Sequence, residues 1–331
     1  MNERHLEALA QYDLTADSVR KGRSGWICET SQGTMLLQEY RGTMKRLEFE
    51  TQVLGQVRKS GLLLVDDYIR TAQGELISLS EDGTRHTLKH WYTGRECNIR
   101  DQKEIREAIG KIAVLHQILR QIERQQEWNL GSIVVETATK EMERRSQELR
   151  RARNYMRNKK KKTDFERCAL NNFSLFYDQA REAGEGMAKL EGQARETPLF
   201  LCHGDLDQHH VLFVQEAGAS GLRGAVIEYH KMHLGDQMRD LYHFMRKVME
   251  KHGWSQSLGQ EMLSAYDRVM PLTSRDRESL YYLFLYPEKY WKQINFYMNA
   301  NKAWIPDRNM EKLKNLAGQN EERNRFLSVI K

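Results

Sequence analysis

The sequence predicts an α+β protein with two lobes, a small β-rich N-terminal lobe and a large helical C-terminal lobe. Short apolar runs separated by hairpin-type turns occupy the first hundred residues. Most of the remainder carries apolar residues three and four apart, which is typical of amphipathic helices. The segment Thr93–Glu96 interrupts both patterns. We therefore predict lobes at residues 1–93 and 94–331, joined at this segment.

The N-terminal lobe is predicted from strand pairs and one helix. After a short helix near Leu6, Trp26–Thr30 and Thr34–Tyr40 have strand composition and are joined by a turn that contains Gly33. Lys45–Lys59 has apolar residues at helical spacing and predicts a helix. Further strands are predicted at Leu62–Val65, Tyr68–Thr71, Leu76–Leu79 and Thr87–Tyr92.

The C-terminal lobe is predicted to be mainly helical. One apolar stripe runs from Ile105 to Leu119, and His116 on that stripe is interpreted as a core residue. Charged helices with a buried face follow over Glu141–Leu190. The aromatic-rich stretch Tyr286–Pro306 is interpreted as part of the helical core. Further helices are predicted at Asp240–Lys251, Leu258–Val269 and Arg275–Leu285.

Composition limits the classes of function. No apolar run approaches the roughly 18 residues that a membrane span needs, and the N-terminus lacks the pattern of a signal peptide, so we expect a cytoplasmic protein. The four cysteines form no CxxC pair and are expected to be reduced. The net charge of +6 is local, because residues 150–162 hold eight basic residues and no acid. Without aromatic interleaving this run is interpreted as a solvated face, and nucleic acid is not predicted as a partner.

Residues 201–229 form the segment on which the functional interpretation depends. His203-Gly204-Asp205 predicts a turn, Val211–Val214 a strand, Ala217–Gly221 a second turn and Leu222–Tyr229 a returning strand. Polar residues therefore face one another across one hairpin. Phosphoryl transfer needs a carboxylate that orients the acceptor hydroxyl and oxygen ligands that hold magnesium. Asp205 fits the first of these roles.

This segment resembles the aminoglycoside phosphotransferase and protein kinase-like superfamily. His203-Gly204-Asp205 matches the catalytic motif of that superfamily, and Gly235 and Asp240-Leu241 have its spacing after Glu228. The resemblance implies a bilobal kinase-like fold, with ATP and Mg²⁺ as cofactors if the protein is active. It also implies roles for Asp205 as base, His203 as support of the loop and Asp240 as an anchor of the loop.

Several positions depart from the pattern of the superfamily. His210 stands where the pattern has a metal-binding Asn, and Glu228 where it has a metal-binding Asp. Gln38 stands where a strand lysine would contact the nucleotide phosphates, and Glu50 is the expected partner of that lysine. Gly94, in the segment between the lobes, completes the candidate cofactor contacts.

Over nearly its whole length the chain is also similar to the CotS-type spore coat proteins, a branch of this superfamily, and the most specific motifs are C-terminal. Asp240–Met249 and Tyr286–Pro306 carry the resemblance, with Tyr92–Glu96 at the hinge. It implies synthesis in the cytoplasm of the mother cell, a final location in the spore coat and other coat proteins as partners.

The departures favour a protein with little or no phosphotransferase activity. Imidazole is a poor magnesium ligand, Glu228 displaces its carboxylate by one methylene, and Gln38 removes a positive charge. All three weaken the neutralisation of phosphoryl charge from which such enzymes gain their rate. The sequence therefore predicts a structural or assembly component of the coat that needs no cofactor.

Three alternatives stay open. One is an active ATP-dependent phosphotransferase acting on a small-molecule hydroxyl, which would also bind a nucleotide. Another is a protein that binds an anionic partner through residues 150–162. A third is a transition-metal site, since five of the 11 histidines lie in the hairpin and its exit. Their spacing matches no zinc pattern, so hydrogen-bonding roles are expected for them.

Overall fold

The computed structural model describes residues 3–125, 128, 133–193, 199–215, 221–300 and 307–331. The chain divides into two compact units. The first combines Met1–Val134 with Phe200–Leu234, and the second combines Val135–Leu199 with Gly235–Lys331. The hairpin of residues 201–229 thus belongs to the same unit as the β-rich N-terminal region. The predicted boundary between residues 93 and 94 stays a prediction.

The first unit is built on β-sheets. One sheet has the strand order β1-β2-β3-β7-β5, with β6 paired to β7, and another has the order β4-β11-β10-β8. A third, two-stranded sheet pairs β9 with β12. The strands are β1 Ala16–Lys21, β2 Trp26–Thr30, β3 Gly33–Glu39, β4 Leu64–Val65, β5 Tyr68–Ile69, β6 Ser78–Leu79, β7 Arg85–His90, β8 Arg95–Glu96, β9 Phe200–Cys202, β10 Val211–Gln215, β11 Leu222–Val226 and β12 His233–Gly235.

The helices of the first unit are α1 Glu3–Leu9, α2 Met44–Lys59 and α3 Gln102–Gln121. The Thr43 side chain accepts a hydrogen bond from the Arg46 N–H and caps α2. Asp101 caps α3 by accepting from the N–H groups of Lys103 and Glu104. His116 of α3 is fully buried, in agreement with its interpretation as a core residue.

The returning strand of the hairpin is shorter than predicted. We expected it to span Leu222–Tyr229, but β11 ends at Val226 and pairs with β10 from Val211↔Val226 to Gln215↔Leu222. Glu228 has a φ of 67°, in the left-handed region that non-glycine residues rarely adopt, and this conformation cannot continue a strand. The predicted turn at Ala217–Gly221 lies, except for Gly221, outside the described residues.

The described residues of the second unit form helices. These are α4 Ala138–Asn158, α5 Asp164–Asn171, α6 Phe173–Gly192, α7 Met238–Lys251, α8 Gln256–Asp267, α9 Ser274–Leu285, α10 Glu288–Asn299, α11 Asp307–Gly318 and α12 Asn320–Ile330. Capping boxes begin α5 and α9, where Thr163 pairs with Glu166 and Thr273 with Asp276. No helix among the described residues is both long and apolar enough to cross a membrane.

The aromatic-rich stretch contributes to the core of the second unit, as predicted. Tyr290, Ile294 and Tyr297 are buried in one cluster with residues of α4, α5 and α6. The Tyr297 hydroxyl and the Lys159 ammonium both donate to the buried Glu166 carboxylate, the latter over 2.6 Å. The last six residues of the stretch, 301–306, lie outside the described residues. With its sheet-rich N-terminal region and helical second unit, the structure confirms the predicted α+β class.

Candidate functional site

A cleft of about 870 Å³ opens within the first unit, above the hairpin. One wall is apolar and comes from β2, β3 and the segment after β7. The other wall is polar and comes from the hairpin. The residues that matter below are Ile27, Leu36, Trp91, Tyr92 and Gly94 on the first wall, and Asp205, Asp207, His209, His210, Glu228 and His230 on the second.

His203 fixes the geometry of the turn at the floor of this cleft. Its ring is fully buried. Nδ1 accepts from the Asp205 N–H at 3.3 Å, so Nε2 carries the proton and donates to the Ile227 carbonyl at 2.9 Å. Gly204 has a φ of 88°, and a Cβ at this position would overlap the Lys231 carbonyl oxygen. The turn therefore requires a glycine, and it directs Asp205 into the cleft.

Asp205, the predicted base, has a charged partner in this structure. Its Oδ2 accepts from the Lys231 ammonium over 2.8 Å. The side chain of Asp205 is 38% exposed and that of Lys231 is 54% exposed. A ligand in the cleft can reach the carboxylate, but the carboxylate is already paired.

His210 forms the centre of a charged cluster. Its Nδ1 is 3.0 Å from Asp207 Oδ1, and its Nε2 is 3.6 Å from Glu228 Oε2. Burial lowers the pKa of His210, but the neighbouring Asp207 and Glu228 carboxylates outweigh burial and raise the pKa to about 9. Interaction with His210 in turn lowers the pKa of Glu228. At neutral pH the cluster is an imidazolium between two carboxylates.

The backbone at Glu228 is held by a buried ion pair. The Glu228 N–H donates to both carboxylate oxygens of Asp66, each over 3.1 Å. Asp66 is 1% exposed and pairs with the Lys89 ammonium at 3.3 Å. Burial raises the pKa of Asp66, opposed by Lys89 and by the Glu228 N–H. These contacts stabilise the left-handed conformation that brings the Glu228 side chain back towards His210.

Gln38 and Glu50, predicted as a nucleotide-contacting pair, have separate partners. Gln38 Nε2 donates to the Ser24 carbonyl in the β1–β2 loop at 3.2 Å. Glu50 is buried and accepts from Arg46 Nε at 2.5 Å and from the Tyr68 hydroxyl at 2.6 Å. The pair predicted from the kinase-like pattern is thus replaced by contacts to other residues, and a cofactor role for either residue stays a prediction.

Gly94 lies on the cleft wall, where the chain crosses closely over the hairpin. A Cβ at Gly94 would lie 2.8 Å from Val214 Cγ2 and 3.1 Å from both Leu212 Cβ and the Phe213 carbonyl oxygen. Absence of a side chain therefore permits this approach. Arg23 of the β1–β2 loop also lines the cleft; it is exposed and makes no ion pair with any described residue.

Asp240, predicted as an anchor of the loop, lies in the first turn of α7 in the second unit and is 1% exposed. Its predicted role stays a prediction. The structure therefore brings Asp205, His203, His210, Glu228 and Gly94 together around one cleft. Gln38 and Glu50 lie in β3 and α2 of the same unit.

The donor atoms of this cluster differ from those that the magnesium of a kinase-like site would need. A protonated imidazole cannot donate a lone pair to a metal, and magnesium prefers oxygen ligands. Both the Asp207 and the Glu228 carboxylate already lie against the His210 ring, whose single positive charge offsets one of their two negative charges. Within the described part of the chain, no three His, Cys, Asp or Glu side chains converge so as to hold a metal ion. The residues present do not fit magnesium.

Sequence reasoning gave no role to four residues that shape this site. Asp207 lies two residues after the His203-Gly204-Asp205 motif, and its spacing of three residues from His210 permits contact. Lys231 lies only three residues after Glu228, and this proximity in the sequence is the one signal that could have indicated a place for it in the site. Asp66 and Lys89 are far from the hairpin in sequence and carry no motif, so no local signal could have identified them.

Comparison with solved structures identifies the class of the fold. The aminoglycoside phosphotransferase from Alicyclobacillus acidocaldarius subsp. acidocaldarius DSM 446 superposes with a TM-score of 0.82 at 16% identity, over 98% of this chain and 94% of that one. A spectinomycin phosphotransferase solved with ADP and spectinomycin has a TM-score of 0.59 at 11% identity, over 98% and 96%. The chain has the kinase-like fold of the aminoglycoside phosphotransferases, as predicted.

Sequence comparison points to a particular relative. The chain is 22% identical to spore coat protein S of Bacillus subtilis (strain 168), over 98% of this chain and 93% of the relative. This similarity confirms the resemblance to the CotS-type branch of the kinase-like superfamily. No protein-family model matches the sequence.

Proposed function

We propose that this protein is a catalytically degenerate, kinase-fold component of the spore coat that acts in coat structure or assembly. One observation carries the loss of catalysis: protonated His210 lies between Asp207 and Glu228, where the kinase-like pattern places metal ligands. The protein thereby supplies a cation covalently attached to its own chain. A divalent ion entering this site would meet a positive charge that already lies between the two carboxylates and offsets half of their negative charge.

The other departures act in the same direction. Gln38 provides a neutral amide, which can donate a hydrogen bond but does not offset the charge of a phosphate. Asp205 is paired with Lys231, so it is not a free carboxylate awaiting a hydroxyl proton. Phosphoryl transfer gains nearly all its rate from positioning and charge neutralisation. A site that lacks the metal ligands and the lysine of the pattern has lost the main sources of that rate.

The coat assignment rests on the near full-length similarity to spore coat protein S. On this proposal the protein is made in the mother cell and ends in the coat, and its partners are other coat proteins. On this proposal the fold serves as a stable scaffold. The buried ion pairs around Glu228 maintain the shape of the hairpin and have no part in catalysis.

A second candidate function has one observation in its favour. The cleft remains open, and Asp205 is partly exposed within it. An active phosphotransferase acting on a small-molecule hydroxyl would use Asp205 to orient that hydroxyl. We place it second because the residues at positions 38, 210 and 228 do not supply the charge that the reaction needs.

Thermal unfolding in the presence of ATP discriminates between the two functions. On the leading proposal, adding Mg²⁺ to ATP leaves the Tm unchanged relative to ATP with EDTA, and no phosphate is released. The Asp205→Ala variant likewise shows no magnesium-dependent change in Tm and no phosphate release. A magnesium-dependent rise in Tm, accompanied by phosphate release that Asp205→Ala abolishes, would overturn the proposal in favour of the second candidate.

A further inference from the structure

The basic segment 150–162 contains two structurally different sets of cations. Three side chains are used within the second unit itself. The Arg153 guanidinium lies 4.9 Å from the centroid of the Phe173 ring, Lys159 pairs with the buried Glu166, and Lys162 Nζ donates to the Lys159 carbonyl at 2.7 Å. These contacts join the end of α4 to α5 and α6, so these three cations have a structural role.

The other five cations are not used in this way. They are exposed and make no ion pair with any residue that the structure describes: Arg150, Arg151, Arg157, Lys160 and Lys161. Arg157 lies in the last turn of α4, where a positive charge interacts favourably with the helix dipole. The other four lie before or after that turn and gain little from it.

The first half of the same helix shows the opposite arrangement. Arg144 lies 3.2 Å from Glu136 and 3.3 Å from Glu148, and Arg145 pairs with Glu141. Beyond the segment, Arg167 lies 2.5 Å from Asp164. The helical surface therefore neutralises its cations on both sides of residues 150–162 and leaves those within the segment unneutralised. The unpaired cations form a bounded stripe with acids at both ends.

The geometry of the stripe limits what can bind it. Arg150 and Arg157 are seven residues apart, so they lie on one face of α4 about 10 Å from each other along the helix axis. Arg151 lies beside the first of them, and the two lysines follow after the helix ends. A guanidinium binds a carboxylate through two parallel hydrogen bonds. The stripe is therefore complementary to a short run of closely spaced anions.

We propose that these five cations form a docking surface for a short acidic segment of another polypeptide. The scarcity of exposed aromatic side chains in the segment argues against a single-stranded nucleic acid as the partner. Only one aromatic side chain of the segment, Tyr155, is exposed, at 37%. Single-stranded nucleic acids are bound on several aromatic platforms. The surface lies in the second unit, so this proposal is independent of whether the cleft of the first unit is catalytically active.

The test measures binding of a fluorescent peptide of about twelve glutamates by anisotropy, with a salt titration. The surface variant replaces all five cations: R150Q, R151Q, R157Q, K160Q and K161Q. The matched control replaces five exposed, unpaired cations elsewhere in the second unit: K140Q, K189Q, R268Q, R308Q and K312Q. Both variants change the net charge equally, so only the location of the charge differs between them.

We expect the surface variant to bind the peptide at least ~10-fold more weakly than the wild type, and the control to stay within about twofold. If the five substitutions unfold α4, then K160Q with K161Q, which lie after the helix, still gives an intermediate loss. Equal losses in both five-residue variants would overturn the proposal, because net charge alone would explain the binding. So would the absence of peptide binding, or tighter binding of single-stranded DNA of matched charge.

Discussion

The charge of His210 makes a prediction about stability that depends on pH. The perturbation is His210→Asn, which restores the residue of the kinase-like pattern and removes the imidazolium between Asp207 and Glu228. The pKa of His210 is about 9 in the folded protein, against an ordinary value of 6.5. A raised folded-state pKa stabilises the fold fully below about 6.5, and this contribution is lost as pH rises through about 9.

The size of the effect follows from the same two values. At about 1.36 kcal/mol for each tenfold change, the difference corresponds to about 3.4 kcal/mol. The cluster lines an open cleft, so solvent screening reduces the expected contribution to about 2 kcal/mol. The free energy of unfolding of the wild type should therefore exceed that of His210→Asn by about 2 kcal/mol more at pH 6 than at pH 10.

Urea unfolding of the two proteins between pH 6 and pH 10 provides the assay. Taking the difference between the two curves cancels groups that titrate alike in both. His209→Asn is the matched control, since His209 also pairs with a carboxylate, Glu96 at 2.6 Å, but is 42% exposed. A pH dependence in the His209→Asn difference as large as that expected for His210→Asn would point to a general effect of removing a histidine and not to the buried cluster. A His210 difference that stays constant, or grows with pH, would refute the reasoning.

Two further predictions concern the packing around the site. Lys89→Met leaves the buried Asp66 carboxylate without its ion-pair partner and should lower the free energy of unfolding, measured in urea, by about 3–5 kcal/mol. The double variant Lys89→Met with Asp66→Asn should recover part of that loss. If the losses of the two substitutions simply add, the two residues are not coupled and the reasoning is wrong. Gly94→Ala forces a Cβ to within 2.8 Å of Val214 Cγ2 and should lower stability by about 1–3 kcal/mol. The control is Gly55→Ala in α2, where the Cβ position has open space around it, and this substitution should raise stability by about 0.5–1 kcal/mol. A gain in stability at both glycines would show that the chain at Gly94 does not approach the hairpin as closely as described.

Local sequence patterns predicted those strands and helices well whose bounds depend on neighbouring residues in the chain. Trp26–Thr30 was predicted with the bounds that the structure gives to β2, and the predicted helix Lys45–Lys59 differs from α2 by one residue. The strand has a local composition typical of strands and the helix has apolar residues at helical spacing, and the N-cap of α2 is a local hydrogen bond in which the Arg46 N–H donates to the Thr43 side chain. Such signals need no knowledge of the rest of the fold.

The end of the hairpin could not be predicted in this way. The apolar pattern of Leu222–Tyr229 favours a strand, but Glu228 is held in a left-handed conformation by Asp66, which is 162 residues away in the chain. A contact over that separation leaves no trace in the local pattern. The role of Lys89 could not be predicted for the same reason, because Lys89 affects Glu228 only through Asp66.

The sequence predicted a site around Asp205, His210 and Glu228, but not the contacts that these side chains make. The motif spacing indicated that Asp205, His210 and Glu228 would lie near one another, and the structure brings all three to one cleft. The departures from the kinase-like pattern showed what was missing. What took the place of the missing groups depended on side-chain directions, and the ion pairs from His210 to Asp207 and Glu228 emerged only from coordinates.

An attached imidazolium differs physically from a bound magnesium ion. It carries one positive charge instead of two, it cannot be removed by chelators, and it is lost only above about pH 9. It can hold two carboxylates in place and so preserve the shape of a metal site. It cannot bridge phosphate oxygens as a divalent ion does.

The most direct test of this account compares phosphate release from ATP by the native chain and by a variant with Gln38→Lys, His210→Asn and Glu228→Asp. Each is assayed with Mg²⁺ and with EDTA, and each is paired with its own Asp205→Ala form. We predict no magnesium-dependent release from the native chain above its Asp205→Ala control. Magnesium-dependent release from the native chain that is lost in Asp205→Ala would contradict the account.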